Sequence, residues 1–326
     1  MLTRPNVKVN FGLNVLRRRE DGFHDIETLF VPYFGLSDNL EIICGDDYSR
    51  TMGSILEGYG NKVAESGHPC VKQAISADGK LMITIARREG VDWEPLEDLC
   101  AKAYFLLEKD FNLPAVKIFL EKCSPVGAGL GGGSSDAAFT LKMLNGMFSL
   151  KLDENTLASY ASRLGSDCAF FIFNRPMRGS GRGEVLSEFN LEGIRLDGFP
   201  LRIPAPESSA PESSAPESIA RALDNLLSTK GFGSGSAATL HVVIPEGVGV
   251  RTSEAYRGIT PNLPEIPLEQ VLSLPVEKWK DTLCNDFEES VFRAHPEISG
   301  IKDVLYRHGA VYAAMSGSGS AFFFLG

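Results

Sequence analysis

The sequence predicts an α+β protein built from two domains, and three observations lead to that prediction. Residues 7–15 alternate strictly between apolar and other side chains, which is the period of a β-strand. Residues 116–122 also read as a strand, and a glycine-rich loop joins them to a segment of helical period, with Ala138, Leu141 and Leu144 on one face. A chain of 326 residues is also long enough for two ordinary domains, each with its own core.

The charge and the apolar pattern exclude several classes of function. With 32 basic and 42 acidic residues the net charge is −10, which argues against nucleic acid as a partner. No apolar run approaches the roughly 20 residues that a membrane-spanning helix needs. The N-terminal residues M-L-T-R-P-N-V-K lack the apolar core of a signal peptide. We therefore expect a cytoplasmic protein that binds neither nucleic acid nor a membrane.

The cysteines point to the same compartment. Six cysteines are widely scattered, and no C-x-x-C pair occurs. This pattern is typical of reduced, structural thiols. The five histidines also lack the spacing of a metal site, so the sequence does not predict a zinc site.

Residues 125–135 have the features of a phosphate-binding loop. Five glycines remove the side chains that would hold a ligand away from the backbone, so that several N–H groups can converge on one anion. Two serines follow where a helix N-cap is expected, at the positive end of the helix dipole. The residues predicted to bind phosphate are Pro125, Val126, Gly127, Ala128, Gly129, Leu130, Gly131, Gly132, Gly133, Ser134 and Ser135.

Three interpretations of this loop compete. A flexible connector would not run directly into the helical pattern that follows residue 135. Gly127, Gly129 and Gly132 formally satisfy G-x-G-x-x-G, but Asp153, the first acid at a suitable distance, opens a helix and does not close a second strand, so a dinucleotide fold lacks its ribose-binding carboxylate. A phosphate loop is the third interpretation. It is not of the Walker type, because no G-K-[ST] follows the glycines.

The proline at residue 125, the G-L-G-G-G-S-S core and the helix behind it resemble the GHMP kinase superfamily, which includes galactokinase, homoserine kinase and mevalonate kinase. P-N-V-K-V-N near the start and S-G-S-G-S near the end resemble its other two motifs, in the same order. The D-G-F-H turn resembles one branch, whose members phosphorylate an alcohol linked to cytidine diphosphate in the non-mevalonate route to isoprenoid precursors. The resemblance covers residues 5–43, 98–186 and 240–325.

The resemblance implies a fold and a division of the chain. Residues 1–188 would form an N-terminal domain like ribosomal protein S5, which carries the glycine loop. Residues 189–326 would form a ferredoxin-like C-terminal domain, and the site would lie in the cleft between the domains. Two segments that do not resemble the family fall outside this two-domain division. Residues 46–80 look like an insertion without assigned chemistry, and residues 203–238 look like a disordered insertion rich in Ala, Pro, Glu and Ser.

The second insertion contains a pentapeptide repeat, A-P-E-S-S, over residues 205–218. Proline at every fifth position is expected to prevent both a helix and a strand ladder. Elsewhere, Asp153 is predicted to cap a helix that ends at Gly165 in the left-handed conformation. Residues 297–308 are predicted to form a helix that stops at Gly309, followed by a strand, a glycine turn and a strand.

Two residues carry the catalytic hypothesis, Lys8 and Asp167. From the residues alone, Lys8 fits a solvated strand face, although Asn10 and Gly12 are poor strand formers and such a conflict often marks a site. Asp167 precedes the apolar run C-A-F-F-I-F and, from the residues alone, fits a turn residue better than a catalytic group. The resemblance implies that Asp167 is the catalytic base, that Lys8 stabilises both this aspartate and the γ-phosphate, and that Asn10 lies beside Lys8 and binds the substrate. It also implies ATP and Mg²⁺ as cofactors, with Ser135 as a metal ligand.

Phe23 and His24 open the second strand beside the D-G turn. From the residues alone they fit a packed aromatic ring and a solvated histidine. The resemblance implies that they hold a cytosine, with the Phe23 ring stacking on the base and His24 bonding to its edge. The partner would be a small-molecule substrate bearing cytidine diphosphate, and a homodimer is one alternative for the assembly. A binding protein that has lost catalysis is a further alternative, but both Lys8 and Asp167 are present.

Overall fold

The computed structural model describes residues 1–45, 47–205, 215–230 and 238–326, and the chain forms two compact units. Unit 1 contains Met1–Val7, Leu36–Pro125 and Gly131–Asn174. Unit 2 contains Lys8–Gly35, Val126–Leu130 and Arg175–Gly326. The units are built from interleaved segments. This grouping into units does not test the predicted division of the chain into domains 1–188 and 189–326, which stays a prediction.

The strands are β1 (Leu2–Thr3), β2 (Asn6–Arg18), β3 (His24–Ser37), β4 (Asn39–Cys44), β5 (Val71–Ile75), β6 (Leu81–Arg87), β7 (Val116–Lys122), β8 (Met177–Ser180), β9 (Val185–Glu188), β10 (Ile194–Arg195), β11 (Pro200–Ile203), β12 (Ala238–Pro245), β13 (Tyr312–Met315) and β14 (Phe322–Leu325). The helices are α1 (Met52–Gly58), α2 (Leu99–Phe111), α3 (Gly132–Met147), α4 (Glu154–Ser162), α5 (Cys168–Phe173), α6 (Ala215–Lys230), α7 (Thr252–Arg257), α8 (Leu268–Leu272), α9 (Trp279–Thr282), α10 (Phe287–Ala294) and α11 (Ile301–Arg307).

Unit 1 contains a five-stranded sheet in the order β1-β4-β7-β6-β5. β6 and β7 pair in parallel, with Ile83 opposite Ile118, and the other neighbours pair antiparallel. The segment interpreted as an insertion, residues 46–80, supplies α1 and the edge strand β5. Ile55 of α1 packs with Ile43 and Phe119 in a buried cluster. This segment is therefore part of the folded unit in its described residues.

Unit 2 contains two sheets. One has the order β2-β3-β8-β9, and the other has the order β10-β12-β14-β13 with β11 also paired to β12. β13 and β14 form the predicted hairpin around residues 316–321, with Met315 opposite Phe322. Gly309 follows α11 at φ +91°, so the stop predicted there is confirmed, although the helix begins later than expected, at Ile301.

Two predictions about helices are wrong. Asp153 does cap α4 by accepting a hydrogen bond from the Thr156 N–H at 2.7 Å, but the helix ends at Ser162 and Gly165 is not left-handed. The chain turns instead through backbone bonds to Tyr160 and Ala161. The second error concerns the repeat, because Ala215–Lys230 form helix α6.

Proline in the third repeat did not prevent this helix. Pro216 is the second helical residue, and a proline in the first turn removes no intrahelical hydrogen bond. Further along, Ile219, Leu223 and Leu227 recur at helical spacing and are buried in the core of unit 2. Burial of this stripe stabilises the helix. At the ends of the predicted insertion, Ile203 belongs to β11 and Ala238 to β12, whereas residues 206–214 and 231–237 lie outside the described residues. None of the helices in the described ranges is long and apolar enough to cross a membrane.

Candidate active site

The glycine loop in unit 2 is held by hydrogen bonds to its backbone carbonyl groups. Four successive carbonyl oxygens accept bonds from residues distant in the sequence. The bonds are Val250 N–H to Gly127 at 3.3 Å, Ala321 N–H to Ala128 at 3.1 Å, Lys8 Nζ to Gly129 at 3.0 Å and Lys8 N–H to Leu130 at 3.0 Å. The N–H groups of Gly127, Gly129 and Leu130 donate to no atom of the described chain. Such amides are donors for an anion.

Gly129 shows why this position must be glycine. Its φ is +75°, and a Cβ there would lie 2.1 Å from the carbonyl oxygen of Ser316. The hydroxyl of Ser316 also donates to the Gly129 carbonyl oxygen at 3.2 Å. The loop and the C-terminal glycine turn of unit 2 are therefore in backbone contact, and no other residue fits between them.

Lys8 and Asn10 begin a buried polar chain in unit 2. Both side chains are almost fully buried, at 3% and 2% exposure, although they alternate with core residues on β2. Lys8 Nζ donates to Asn10 Oδ1 at 2.5 Å, Asn10 Nδ2 donates to Thr28 Oγ1 at 3.0 Å, and the Thr28 hydroxyl donates to the Gly12 carbonyl at 2.5 Å. The second face of β2 is therefore a buried polar face, and the alternative of a solvated face for Lys8 is wrong. A buried ammonium beside donor amides suits an anionic ligand.

Asn285 holds the C-terminal glycine turn, residues 316–320, in place through side-chain hydrogen bonds. Its amide donates to the carbonyl oxygens of Met315 at 2.7 Å and Gly317 at 2.8 Å, and it is itself buried. Sequence reasoning gave Asn285, Thr28 and Ser316 no individual role. Their function depends on partners far away in the chain, and no local period reveals such partners.

The chain continues into unit 1 as α3, which contains the other predicted loop residues. The N-cap is Gly131, at φ +69°, and Gly132–Met147 are helical. Ser134 and Ser135 therefore lie inside the first turn, and the prediction that they sit at the N-cap is wrong. Gly131 takes that position because the left-handed turn into the helix favours glycine. Ser135 is fully buried, and its Oγ has no hydrogen-bond partner within the described ranges.

A buried ion cluster in unit 1 joins the two ends of the segment from residue 123 to residue 136. Lys122 Nζ donates to Asp38, to Asp136 Oδ2 at 2.6 Å and to Ser124 Oγ at 3.3 Å. Asp38 Oδ1 also accepts the N–H groups of Cys123 and Ser124, both at 2.6 Å. Burial alone would lower the pKa of Lys122, but the charges of Asp136 and Asp38 outweigh it and raise that pKa. Lys122 therefore stays charged and connects β7 to α3 and to Asp38, the residue before β4.

Asp167 lies in unit 1, in the turn that leads into α5, and it is half-buried. The Ser166 hydroxyl is 3.5 Å from its Oδ1. Next to it, Cys168 is buried, and burial raises the pKa of that thiol to about 12. The prediction that Asp167 borders an apolar segment is confirmed, and the segment is a helix. Both interpretations of Asp167, as a turn residue and as a catalytic group, are compatible with this position.

Phe23 and His24 lie at the tip of the β2–β3 hairpin in unit 2. The Arg19 N–H donates to the Phe23 carbonyl at 2.8 Å, and Gly22 takes φ +85°, so the predicted turn is confirmed. The Phe23 ring is 54% exposed, which rules out the alternative of a packed core aromatic. The His24 ring stacks on Tyr256 of α7 with centroids 4.6 Å apart and an interplanar angle of 17°. Burial, followed by the charge of Arg18, lowers the pKa of His24. A neutral imidazole offers both a donor and an acceptor.

Among the described residues, no group of three or more His, Cys, Asp or Glu side chains could hold a metal ion by itself. The unpartnered Ser135 Oγ is an oxygen of this loop that could serve as a metal ligand. None of the six cysteines forms a disulfide.

Comparison with known proteins agrees with the fold and the loop. The model of the GHMP kinases N terminal domain matches residues 98–175, and that of the GHMP kinases C terminal domain matches residues 275–326. The chain is 39% identical to a protein of Bacteroides thetaiotaomicron named 4-diphosphocytidyl-2-C-methyl-D-erythritol kinase, over 98% of this chain and 90% of that protein. It therefore belongs to the GHMP kinase family and is an ATP-dependent kinase with the two-domain α+β fold of that family.

Two further matches carry the same name or an equivalent one. The protein of Bacteroides fragilis named 4-diphosphocytidyl-2-C-methyl-D-erythritol kinase is 38% identical, over 99% of this chain and 91% of its own length. A crystal structure of 4-(cytidine 5'-diphospho)-2C-methyl-D-erythritol kinase matches with a TM-score of 0.63 and 27% identity, over 100% of this chain and 90% of that chain.

Proposed function

We propose that this protein transfers the γ-phosphoryl group of ATP to the 2-hydroxyl of 4-diphosphocytidyl-2-C-methyl-D-erythritol, a step in the non-mevalonate route to isoprenoid precursors. The names of the near full-length relatives supply the substrate. The structural observation that carries the proposal is the glycine loop, whose four carbonyl groups are engaged while its amides stay available.

The loop residues 125–135 are the proposed site for the ATP phosphates. Phosphoryl transfer depends mainly on positioning and on neutralisation of charge, and backbone amides at a helix N-terminus provide both. Mg²⁺ is the proposed metal. When bound, it would neutralise charge on the phosphate oxygens, and the Ser135 hydroxyl would hold it together with those oxygens.

Lys8 and Asp167 are the proposed catalytic residues. Asp167 would accept the proton of the substrate hydroxyl, and Lys8 would stabilise the negative charge of the γ-phosphate. The buried position of Lys8 supports this role, because a charge acts more strongly where water is excluded. Asn10 supports it by accepting a hydrogen bond from Lys8 Nζ, which fixes the ammonium group.

The cytidine would bind at the hairpin tip. The exposed Phe23 ring is available for stacking, which contributes about 1–3 kcal/mol for a nucleic-acid base. His24 would bond to the base edge, and Tyr256 holds the His24 ring in place by stacking. We place the protein in the cytoplasm, since six free cysteines suit a reducing compartment. A homodimer is one alternative for its assembly, which sedimentation measurements would separate from a monomer.

The test is a coupled ADP-release assay with a panel of alcohols. We expect 4-diphosphocytidyl-2-C-methyl-D-erythritol to be the preferred substrate, and galactose, homoserine and mevalonate to react poorly. Removal of the cytidine diphosphate should lower kcat/KM severely, because binding energy at the base orients the reacting hydroxyl. Faster turnover of mevalonate or a sugar would contradict the proposal. ATP with magnesium should also raise the melting temperature, and NAD should not.

A further inference from the structure

The turn G-R-G-E, residues 181–184, lies beside the Phe23 hairpin in unit 2. It joins β8 to β9, and the sheet order β2-β3-β8-β9 places it next to β3. The Ile26 N–H donates to the Gly181 carbonyl oxygen at 2.7 Å, which fixes the turn against the start of β3. The proposed function gives this turn no role so far.

Arg182 extends from this turn over the aromatic ring of Phe23. Its guanidinium carbon lies 4.9 Å from the ring centroid. Cations at such a distance are attracted to the face of an aromatic ring. Phe23 is 54% exposed with Arg182 in place, so ring surface is left for a base. The arginine is therefore next to the proposed cytosine site.

Glu184 orients Arg182. Glu184 Oε2 accepts a hydrogen bond from the Arg182 backbone N–H at 2.5 Å, and Oε1 lies 3.5 Å from Arg182 Nε. The two terminal amino groups of Arg182 donate to no atom within the described ranges, and 45% of the side chain is exposed. Glu184 thus holds the Nε end of the guanidinium group and leaves its two terminal nitrogen atoms available.

Two arginines of the β2–β3 hairpin, unlike Arg182, form short ion pairs with carboxylates. Arg17 is paired with Asp25, and Arg19 is paired with both Asp21 and Asp25 at 3.0 Å. Their carboxylate partners neutralise them at short distance. Arg182 lies 3.5 Å from the Glu184 carboxylate and within electrostatic range of Asp21, without a short ion pair to either, so it keeps capacity to bind an anion.

We propose that Arg182 is a specificity-determining residue that binds the diphosphate of the substrate while the cytosine stacks on Phe23. The inference rests on the proposed function and names a contact for the part of the substrate that joins base and alcohol. In a cytidine diphosphate one ribose separates the base from the phosphates. A cation next to Phe23, on which the base stacks, is therefore placed to contact them. A guanidinium suits this role because its planar N–H groups match the oxygen atoms of a phosphate.

The test compares the binding of cytidine, CMP and CDP by calorimetry to the parent protein, Arg182→Gln and Arg182→Lys. We expect Arg182→Gln to weaken CDP binding by about 10- to 100-fold, the usual effect of removing a charge-assisted hydrogen bond, and to leave cytidine binding unchanged. Arg182→Lys should recover part of the lost CDP affinity, since lysine keeps the positive charge but lacks the paired N–H donors of a guanidinium. Arg195→Gln is the control, because Arg195 is an exposed arginine paired with Asp197 in the same unit.

Each outcome decides the inference. A stepwise loss that grows from cytidine to CDP supports it. Equal losses for cytidine and CDP, or CDP binding as tight as in the parent, would overturn it and leave the proposed function intact. A parent protein that binds none of the three cytidine compounds but phosphorylates another alcohol would overturn both proposals together. Circular dichroism of Arg182→Gln should match that of the parent, because Arg182 lies on an exposed turn.

Discussion

Lys8 Nζ donates a hydrogen bond of 3.0 Å to the carbonyl oxygen of Gly129, and the Lys8 backbone N–H donates to the next carbonyl, that of Leu130, also at 3.0 Å. One residue therefore fixes two successive peptide groups of the glycine loop. The same ammonium group is the proposed partner of the γ-phosphate. Loop geometry and catalytic charge consequently depend on a single side chain.

Replacement of Lys8 by alanine should lower kcat by at least about 100-fold, because the charge on the transferred phosphoryl group loses its partner. The KM for ATP should rise as well, since the Gly129 carbonyl also loses a donor. Steady-state kinetics with both substrates measure the two effects. Lys278→Ala serves as the control, because Lys278 is exposed. Unchanged turnover in a folded Lys8→Ala protein would contradict the proposed role.

Asp167→Asn should also lower kcat by at least about 100-fold, because an amide cannot accept the hydroxyl proton. Since Asp167 is half-buried and precedes α5, the fold should be retained, which near-ultraviolet circular dichroism would verify. Asp92→Asn, at an exposed carboxylate of unit 1, is the matched control and should be neutral. Near-normal turnover of Asp167→Asn would remove the aspartate from the mechanism.

Two glycines of the loop should respond differently to alanine. Gly127 and Gly129 both have a positive φ, +74° and +75°, so each substitution incurs a backbone cost of about 1–2 kcal/mol. A Cβ at Gly127 meets no atom within 4 Å, whereas at Gly129 it would meet the Ser316 carbonyl oxygen at 2.1 Å. Gly129→Ala should therefore lower the melting temperature and ATP binding much more than Gly127→Ala. Equal effects in thermal unfolding would show that the backbone contact is not rigid.

The buried carboxyl of Asp136 should make stability depend on pH. Burial raises its pKa well above the ordinary value of 3.8, although Lys122 acts in the opposite direction. The contribution of such a group is present below its unfolded pKa and is lost as the pH rises through its folded pKa. Asp136→Asn should thus gain stability relative to the parent as the pH rises above the ordinary aspartate pKa of 3.8.

Urea unfolding at several pH values would measure this difference. Asp153→Asn is the control, because hydrogen bonds from Thr156 lower the pKa of Asp153 and the sign is reversed. A constant difference between Asp136→Asn and its parent across the pH range would contradict the argument.

Helix α6 changes the expectation for the repeat. Leu223 is fully buried in the core of unit 2, so Leu223→Ala should reduce the free energy of unfolding by about 2–5 kcal/mol. Arg221→Ala on the exposed face should have little effect. Deletion of residues 205–218 should also lower the melting temperature, since residues 215–218 begin α6. A deletion variant as stable as the parent would show that the first turn of α6 is dispensable.

Much of the local structure could be predicted. The alternation over residues 7–15, the strand before the glycine loop, the helix behind it and the D-G turn were all found where expected. In each case the deciding information is local, such as a period of apolar residues or a glycine in a turn. The helix cap at Gly131 was missed because two serines nearby are the commoner capping residues.

The amino-acid sequence by itself determined the class of protein, the loop and the identity of the candidate residues, because glycine patterns and apolar periods act between neighbours in the chain. Tertiary structure alone decided that Lys8 and Asn10 are buried, that Ser316 approaches Gly129, and that Arg182 covers Phe23. It also decided that α6 forms, through burial of its apolar stripe. Ser316 and Gly129 lie more than a hundred residues apart in the sequence, and so do Arg182 and Phe23. The other outcomes depend on core packing. No local period of the sequence contains either kind of information.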